Sequence, residues 1–215
     1  MKKLFWYDSE TSGLKSDQQQ MLTFAVVCTD ISLNVLGKIY VQLKVLPHVV
    51  SEASALAINK LDPFSLTWFA ESILEKDLCQ NLISFYNEHK GDQNYWLAYN
   101  AKFDNGFLQA AFERNGAHLD LSNDVCVDPL LMCRKAVAAG KIVTPERLDR
   151  GGRPFRPSNL EAVSVALKTA HIGDAHNALN DVLCMIKTTP AALEAFTGSK
   201  DMEAFLDNQD YQIGF

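Results

Sequence analysis

The stretch that most constrains this chain is its first fourteen residues. Leu4-Phe5-Trp6-Tyr7 is a short apolar and aromatic run and reads as a strand. It delivers Asp8-Ser9-Glu10, and Thr11-Ser12-Gly13-Leu14 then turns the chain away. Successive strand side chains point to opposite faces, so positions 8 and 10 point the same way. Two carboxylates on one face repel each other unless a cation lies between them. Either this strand end opens to water, as many strands ending in Asp or Glu do, or the fold gathers further groups around a cation there. The rest of the chain decides between the two.

A length of 215 residues suits one domain of the larger sort, with room for a full core. No run reaches the roughly 18 apolar residues of a membrane span, so no membrane association is expected. Met1-Lys2-Lys3 is followed by only four apolar residues before Asp8, which is not the pattern of a signal peptide. The five cysteines include no C-x-x-C pair. They fit a reducing, cytoplasmic compartment and argue against a zinc site or a disulfide framework. The net charge of −6 argues against coating long nucleic acid by charge alone. It is compatible with an enzyme that grips a few nucleotides and lets metal ions neutralise the phosphate.

Residues 21–29 and 35–45 are rich in apolar and β-branched side chains and complete an antiparallel meander with the first strand. A short helix is expected over 51–60, capped by Ser51, and one long amphipathic helix over 66–89. Strands over 95–99 and 124–127 alternate with helices over 103–114 and 130–139. The segment 140–157 differs in kind: three prolines and two adjacent glycines after Gly140 make it a loop. Five cations (Lys141, Arg147, Arg150, Arg153, Arg156) against Glu146 and Asp149 give it +3. Helices are then expected over 159–168, capped by Ser158, and over 175–187, with Asp174 as a possible cap; 190–196 is helical or frayed. The whole reads as one domain over 1–197 followed by an acidic tail, 198–215.

Two further stretches carry carboxylates in telling places. In Tyr99-Asn100-Ala101-Lys102-Phe103-Asp104 a strand ends and a helix opens with Asp104 in its first turn. The helix dipole favours an acid there, so plain capping is one reading. In Asp174-Ala175-His176-Asn177-Ala178-Leu179-Asn180-Asp181, His176 and Asp181 are five positions apart at a helix start. On a helix they differ by roughly 140°, which suits two separate jobs rather than joint grip of one ion. Asp181 would face a metal and His176 a water beside it; a surface or capping histidine is the other reading.

In order, Asp8-x-Glu10, Asp104 and His176-x4-Asp181, within FWYDSETSGL, AYNAKFDNGFL and GDAHNALNDV, resemble the three motifs of the DEDDh 3′–5′ exonucleases. That superfamily includes polymerase proofreading subunits, exonuclease I, ribonuclease T and oligoribonuclease. The motifs span residues 5–185, and 125–135 and 158–167 resemble the family's intervening segments. Family members often carry Thr where Ser9 and Ser12 stand; serine keeps the hydroxyl. Asp128 resembles a family aspartate that caps a helix, and is read as a cap rather than a ligand.

The resemblance implies an α/β, ribonuclease H-like fold: a mixed five-stranded sheet with helices on both faces. The independent succession of strands and helices agrees with it. Four carboxylates without a soft ligand select hard cations, Mg²⁺ or Mn²⁺. By the resemblance, Asp8, Glu10 and Asp181 hold one ion, Asp8 bridges to a second, and Asp104 assists through water. Two ions about 3.5–4 Å apart activate water and stabilise the leaving oxygen of a phosphodiester. His176 would be the base, since a histidine titrates near neutrality. Ser9, Thr11, Gly13, Leu14, Asn100 and Phe103 are implied as substrate contacts, with core packing as the other reading of Phe103. The expected partner is the 3′ end of single-stranded DNA, with 5′-mononucleotides as products. The basic loop 140–157 either holds the strand behind the scissile end or is an ordinary solvated loop. The tail ending in Phe215 resembles the segment by which single-strand binding proteins recruit partners, or is packed on its own domain or disordered. Alternatives are an RNA-trimming or oligonucleotide-degrading enzyme, and a proofreading subunit whose main role is to bind a polymerase.

Overall fold

Leu4, Phe5, Trp6 and Tyr7 are all fully buried, which requires cover on both faces of their strand. A computed structural model describes residues 1–169 and 176–215. Strand β1 (Lys2–Thr11) does not stop at Tyr7 but runs on through the acidic pair. It pairs antiparallel with β2 (Met21–Thr29), which pairs antiparallel with β3 (Val35–Gln42). On its other side β1 pairs in parallel with β4 (Gln93–Leu97), and β4 in parallel with β5 (Val125–Val127). A sixth strand, β8 (Gln212–Ile213), closes the edge antiparallel to β5, giving the order β3-β2-β1-β4-β5-β8. The sheet is thus mixed and has six strands rather than the expected five. The added strand is two residues long, too short to show a period.

Helices α3 (Glu75–His89) and α4 (Ala101–Arg114) cover one face, over Phe5, Tyr7, Phe24 and Trp96. Helices α5 (Pro129–Ala138) and α7 (Ala178–Thr197) cover the other, over Leu4, Trp6, Ala25 and Leu97. Helix α6 (Leu160–Ala166) packs on α7. This is the ribonuclease H-like α/β arrangement.

Several local expectations are corrected. Residues 66–89 form two helices, α2 (Leu66–Glu71) and α3. Between them Ile73 pairs with the end of β3, through Ile73 N to Gln42 O and Lys44 N to Ile73 O, both 2.9 Å. No glycine or proline marks that break; a sheet edge competes for the backbone. Helix α1 (Ala53–Asn59) is entered from Glu52, not capped by Ser51, and α6 from Asn159, not Ser158. Helix α7 continues through Pro190, where an interior proline costs about 3 kcal/mol. Burial of Ile186, Ala192 and Leu193 on either side offsets that cost. Its cap is Asn177, whose side chain accepts from Asn180 N; the expected cap Asp174 lies outside the described residues.

Inside 140–157 the chain forms a small hairpin, β6 (Arg147–Leu148) against β7 (Pro154–Phe155). After residue 198, α8 (Met202–Leu206) and a following 3-10 turn bury Met202, Phe205, Leu206 and Tyr211 in the core beneath α7. The acids of this stretch stay exposed while its apolar side chains pack. All five cysteines are free and buried. Among the described residues no helix is long and apolar enough to cross a membrane.

Candidate active site

The pleat of β1 sorts its side chains. Leu4 and Trp6 face the α5/α7 layer, and Phe5 and Tyr7 face the α3/α4 layer. By the same alternation Asp8 and Glu10 face α7, and Ser9 faces α4. Strand β4 ends at Leu97, opposite Trp6, so β1 runs past its parallel neighbour just where the acids begin. The carboxyl ends of β1, β4 and β5 therefore open one crevice, the usual place for a site in such sheets.

The other groups arrive from helix starts. Beyond β4 the chain turns at Asn100 (φ 74°) into α4, whose first turn carries Asp104. Asp104 is buried, and its Oδ1 accepts from Ser9 N at 3.0 Å and Ser9 Oγ at 2.6 Å. Asp181 comes from the first turn of α7 and shares a hydrogen bond with the carboxyl of Glu10. The backbone N–H of His176 also donates to Asp181. His176 precedes the helix, with φ 65°, so the 140° separation argued from helical geometry does not apply. One ring nitrogen of His176 and one carboxylate oxygen each of Glu10 and Asp181 lie within 4.8 Å of one another. The imidazole thus stands beside both acids.

Asp8, Glu10, Asp104, His176 and Asp181 all line one cleft of about 430 Å³, with Ser9, Asn100 and Phe103. A larger cavity, about 650 Å³ between α4 and Ile213–Phe215, includes none of these five. Ser9, expected to meet substrate, has both its donors on Asp104 and so positions a carboxylate. Phe103 is half-buried, 5.0 Å from the Phe107 ring, and serves core and cleft together. Thr11, Gly13 and Leu14 stand outside the cleft wall. Thr11 Oγ1 donates to Gly13 O at 2.7 Å and closes the turn, and Leu14 is 77% exposed. The cleft also includes Tyr99, Arg134 and the segment 158–161, which sequence reasoning did not assign. Tyr99 lies within the second motif, and Arg134 and 158–161 lie within the segments 125–135 and 158–167.

Crowding of acids shows in their protonation. Burial raises Asp8 well above the usual carboxylate range, and the charges of Asp104, Asp181 and Glu10 add to it. Glu10 is pushed up to about 8 by burial and then by Asp181 and Asp104. Asp104 rises to about 7 through burial, restrained by the two Ser9 bonds. Asp181 rises to about 6 through burial, restrained by the bonds from His176 and Glu10. Four carboxyls so placed ionise together only at a cost in stability unless a cation lies among them. The four carboxyls offer oxygen donors alone, which fits hard divalent ions.

Asp128 supports the site from outside the cleft. One oxygen, Oδ1, accepts from Leu130 N at 2.9 Å, the expected cap of α5, and from Asn100 N at 3.0 Å. It thereby fixes the turn that delivers Asp104.

The fold is similar to that of DEDDh exonucleases, the family that the motifs resemble. In particular, it is similar to exonuclease I. The E. coli enzyme, solved in complex with a dT13 oligonucleotide, superposes with a TM-score of 0.75 at 21% identity, over 95% of this chain and 43% of that one. Exonuclease I from Methylocaldum szegediense superposes with a TM-score of 0.75 at 22% identity, with the same coverage. Exonuclease I in an SSB-Ct complex gives 0.75 at 20% identity. Among curated proteins, ribonuclease T of Buchnera aphidicola subsp. Cinara cedri is 29% identical over 119 residues, 51% of this chain and 52% of that protein. The chain thus spans about half the length of the curated relative it matches. No protein-family model matches it.

Proposed function

We infer that this chain is a metal-dependent 3′–5′ exonuclease that releases 5′-mononucleotides from single-stranded DNA. The observation that carries the reading is the meeting of Glu10, His176 and Asp181 within 4.8 Å, beside Asp8 and Asp104 in one cleft. Asp8, Glu10, Asp104 and Asp181 would hold the Mg²⁺ or Mn²⁺ ions. Bound there, the ions supply an activated water and neutralise the leaving oxygen. His176 is exposed at the cleft mouth. It takes the proton of the attacking water and passes it to solvent. Ser9 fixes the orientation of Asp104 through its two bonds. Asn100 and Phe103 on the wall, with Leu14 on the turn after Glu10, border the terminal nucleotide.

The RNA reading has its own support, the 29% identity to a ribonuclease T. Discrimination rests on contacts to the 2′-hydroxyl. A partner of the SSB-Ct kind is proposed from the exonuclease I complex. Digestion of matched single-stranded DNA, double-stranded DNA and RNA, each labelled at either end, tests the reading. Stepwise shortening from the 3′ end, fastest on single-stranded DNA, is expected; faster loss of RNA would transfer the assignment to RNA, and shortening from the 5′ end would reject it.

A further inference from the structure

The cleft is an acidic place to bring a polyanion. Four carboxyls meet there, Glu161 stands on its wall, and the whole chain carries −6. Cations among the carboxyls answer the scissile phosphate, not the phosphates behind it, which need protein cations. The densest run of cations in the sequence is 141–156, five positive minus two negative, or +3.

In the structure this run is the β6–β7 hairpin and its stem. Every residue from 145 to 156 except Asp149 is exposed, including Leu148 at 69% and Phe155 at 44%. The hairpin therefore adds nothing to the core, yet its base is fixed. Thr144 is fully buried, and its carbonyl accepts from the Arg156 guanidinium. Pro157 is buried, and the Tyr99 hydroxyl donates to the Ser158 carbonyl at 2.5 Å. The returning strand runs directly into Ser158–Glu161 of the cleft wall, and Arg147 Nη2 stands 3.7 Å from Glu161 Oε2. The basic arm thus rises from the rim of the acidic cleft. Its ion pairs, Arg147–Glu161 and Arg153–Asp149, hold their guanidinium groups in solvent and contribute little. A phosphate can take either guanidinium. Phe155 among these arginines offers a face on which an unpaired base can stack.

We propose that the β6–β7 hairpin is a nucleic-acid-binding arm that holds the phosphate backbone of a single strand a few nucleotides behind the scissile bond. The proposal rests on the exonuclease reading of the cleft. Its test is the triple variant Arg147→Gln/Arg150→Gln/Arg153→Gln beside wild type. Activity is read as the ratio of kcat/KM on a DNA strand of about 20 nucleotides to that on one of about three, lengths that do and do not reach past a groove of several nucleotides. Binding of a labelled strand of the longer length is read by fluorescence anisotropy with Ca²⁺, from about 50 to 200 mM salt. The ratio is expected to fall about tenfold, as loss of phosphate contacts weakens binding. The slope of log K against log salt should become shallower by about 2, three contacts at roughly 0.7 each. RNA of equal length should lose binding equally. An unchanged ratio and slope, or a loss confined to one sugar type, would overturn the proposal. If neither protein cleaves any strand, the exonuclease reading fails, and anisotropy alone then upholds or rejects the arm.

Discussion

Ser9 separates two carboxylates in sequence and ties down a third in space. Its backbone N–H and hydroxyl both end on Asp104 Oδ1, and both hold that carboxyl down against burial. Ser9→Ala keeps the N–H bond and loses the hydroxyl. A hydrogen bond to a charged group contributes about 1.5–3 kcal/mol, so a loss of that order is expected in urea unfolding above pH 7. Asp104 would then titrate higher, and the acid limb of the pH–rate profile should move to higher pH; Ser9→Thr should restore it. His176→Ala should lower kcat by roughly 10²–10⁴, the scale of a positioned base, without a comparable loss of Tm. The residue types of the site were legible from the sequence, because acids at strand ends and helix starts are recognisable. The Ser9–Asp104 bond was not, since it joins positions 95 apart. Nor does the sequence show the angle between His176 and Asp181, because the helix begins only at Ala178 and His176 is left-handed.

Two helices share one anchor. Asp128 Oδ1 accepts the N–H of Leu130 at the start of α5 and that of Asn100 at the start of α4. Asp128→Ala should cost about 1–2 kcal/mol, the upper range for a helix cap, and lower kcat by loosening the turn before Asp104. Asp128→Asn retains an oxygen acceptor and should recover most of both, in unfolding and single-turnover measurements; equal losses in the two variants would speak against the anchoring role. The α5 cap was visible locally as Asp before Pro129. Its second bond spans two elements that pairing of β4 and β5 brings together, and no local pattern reports it. The same limit explains the helix break at 72–74, where the end of β3 supplies partners that periodicity cannot show.

At the scale of the molecule, the sheet holds repelling acids at its carboxyl edge. In the metal-free protein burial pushes the carboxyls of Glu10, Asp104 and Asp181 up, to about 8, 7 and 6. Unfolded carboxyls titrate near about 4. These raised values contribute stability that is full below about pH 4 and is lost as pH rises through roughly 6 to 8. Metal-free Tm should therefore fall between about pH 5.5 and 8.5, less steeply in Glu10→Gln. Mn²⁺ at about a hundred times its Kd should restore about 2.7 kcal/mol at pH 8. That corresponds to about 5–10 °C of Tm for a chain this size. The gain should shrink at pH 6, where protons compete for the same oxygens. A metal effect larger at pH 6 than at pH 8 would contradict this electrostatic picture. The meander and the later alternation of strand and helix were legible from their apolar runs, and the mixed sheet with helices on both faces from the resemblance of the motifs. The edge strand and the burial of 202–211 were not, because an acidic composition masks four spaced apolar side chains.

The most direct test of the central claim is the fate of a 3′-terminal label on single-stranded DNA, followed with Mg²⁺, with EDTA, and with Asp8→Asn and Asp181→Asn in place of wild type. Wild type with Mg²⁺ should release the label at once as a 5′-mononucleotide, and the other three conditions should release almost none. Release that survives EDTA or either substitution, or that first appears as longer fragments, would contradict a metal-dependent exonuclease built on β1.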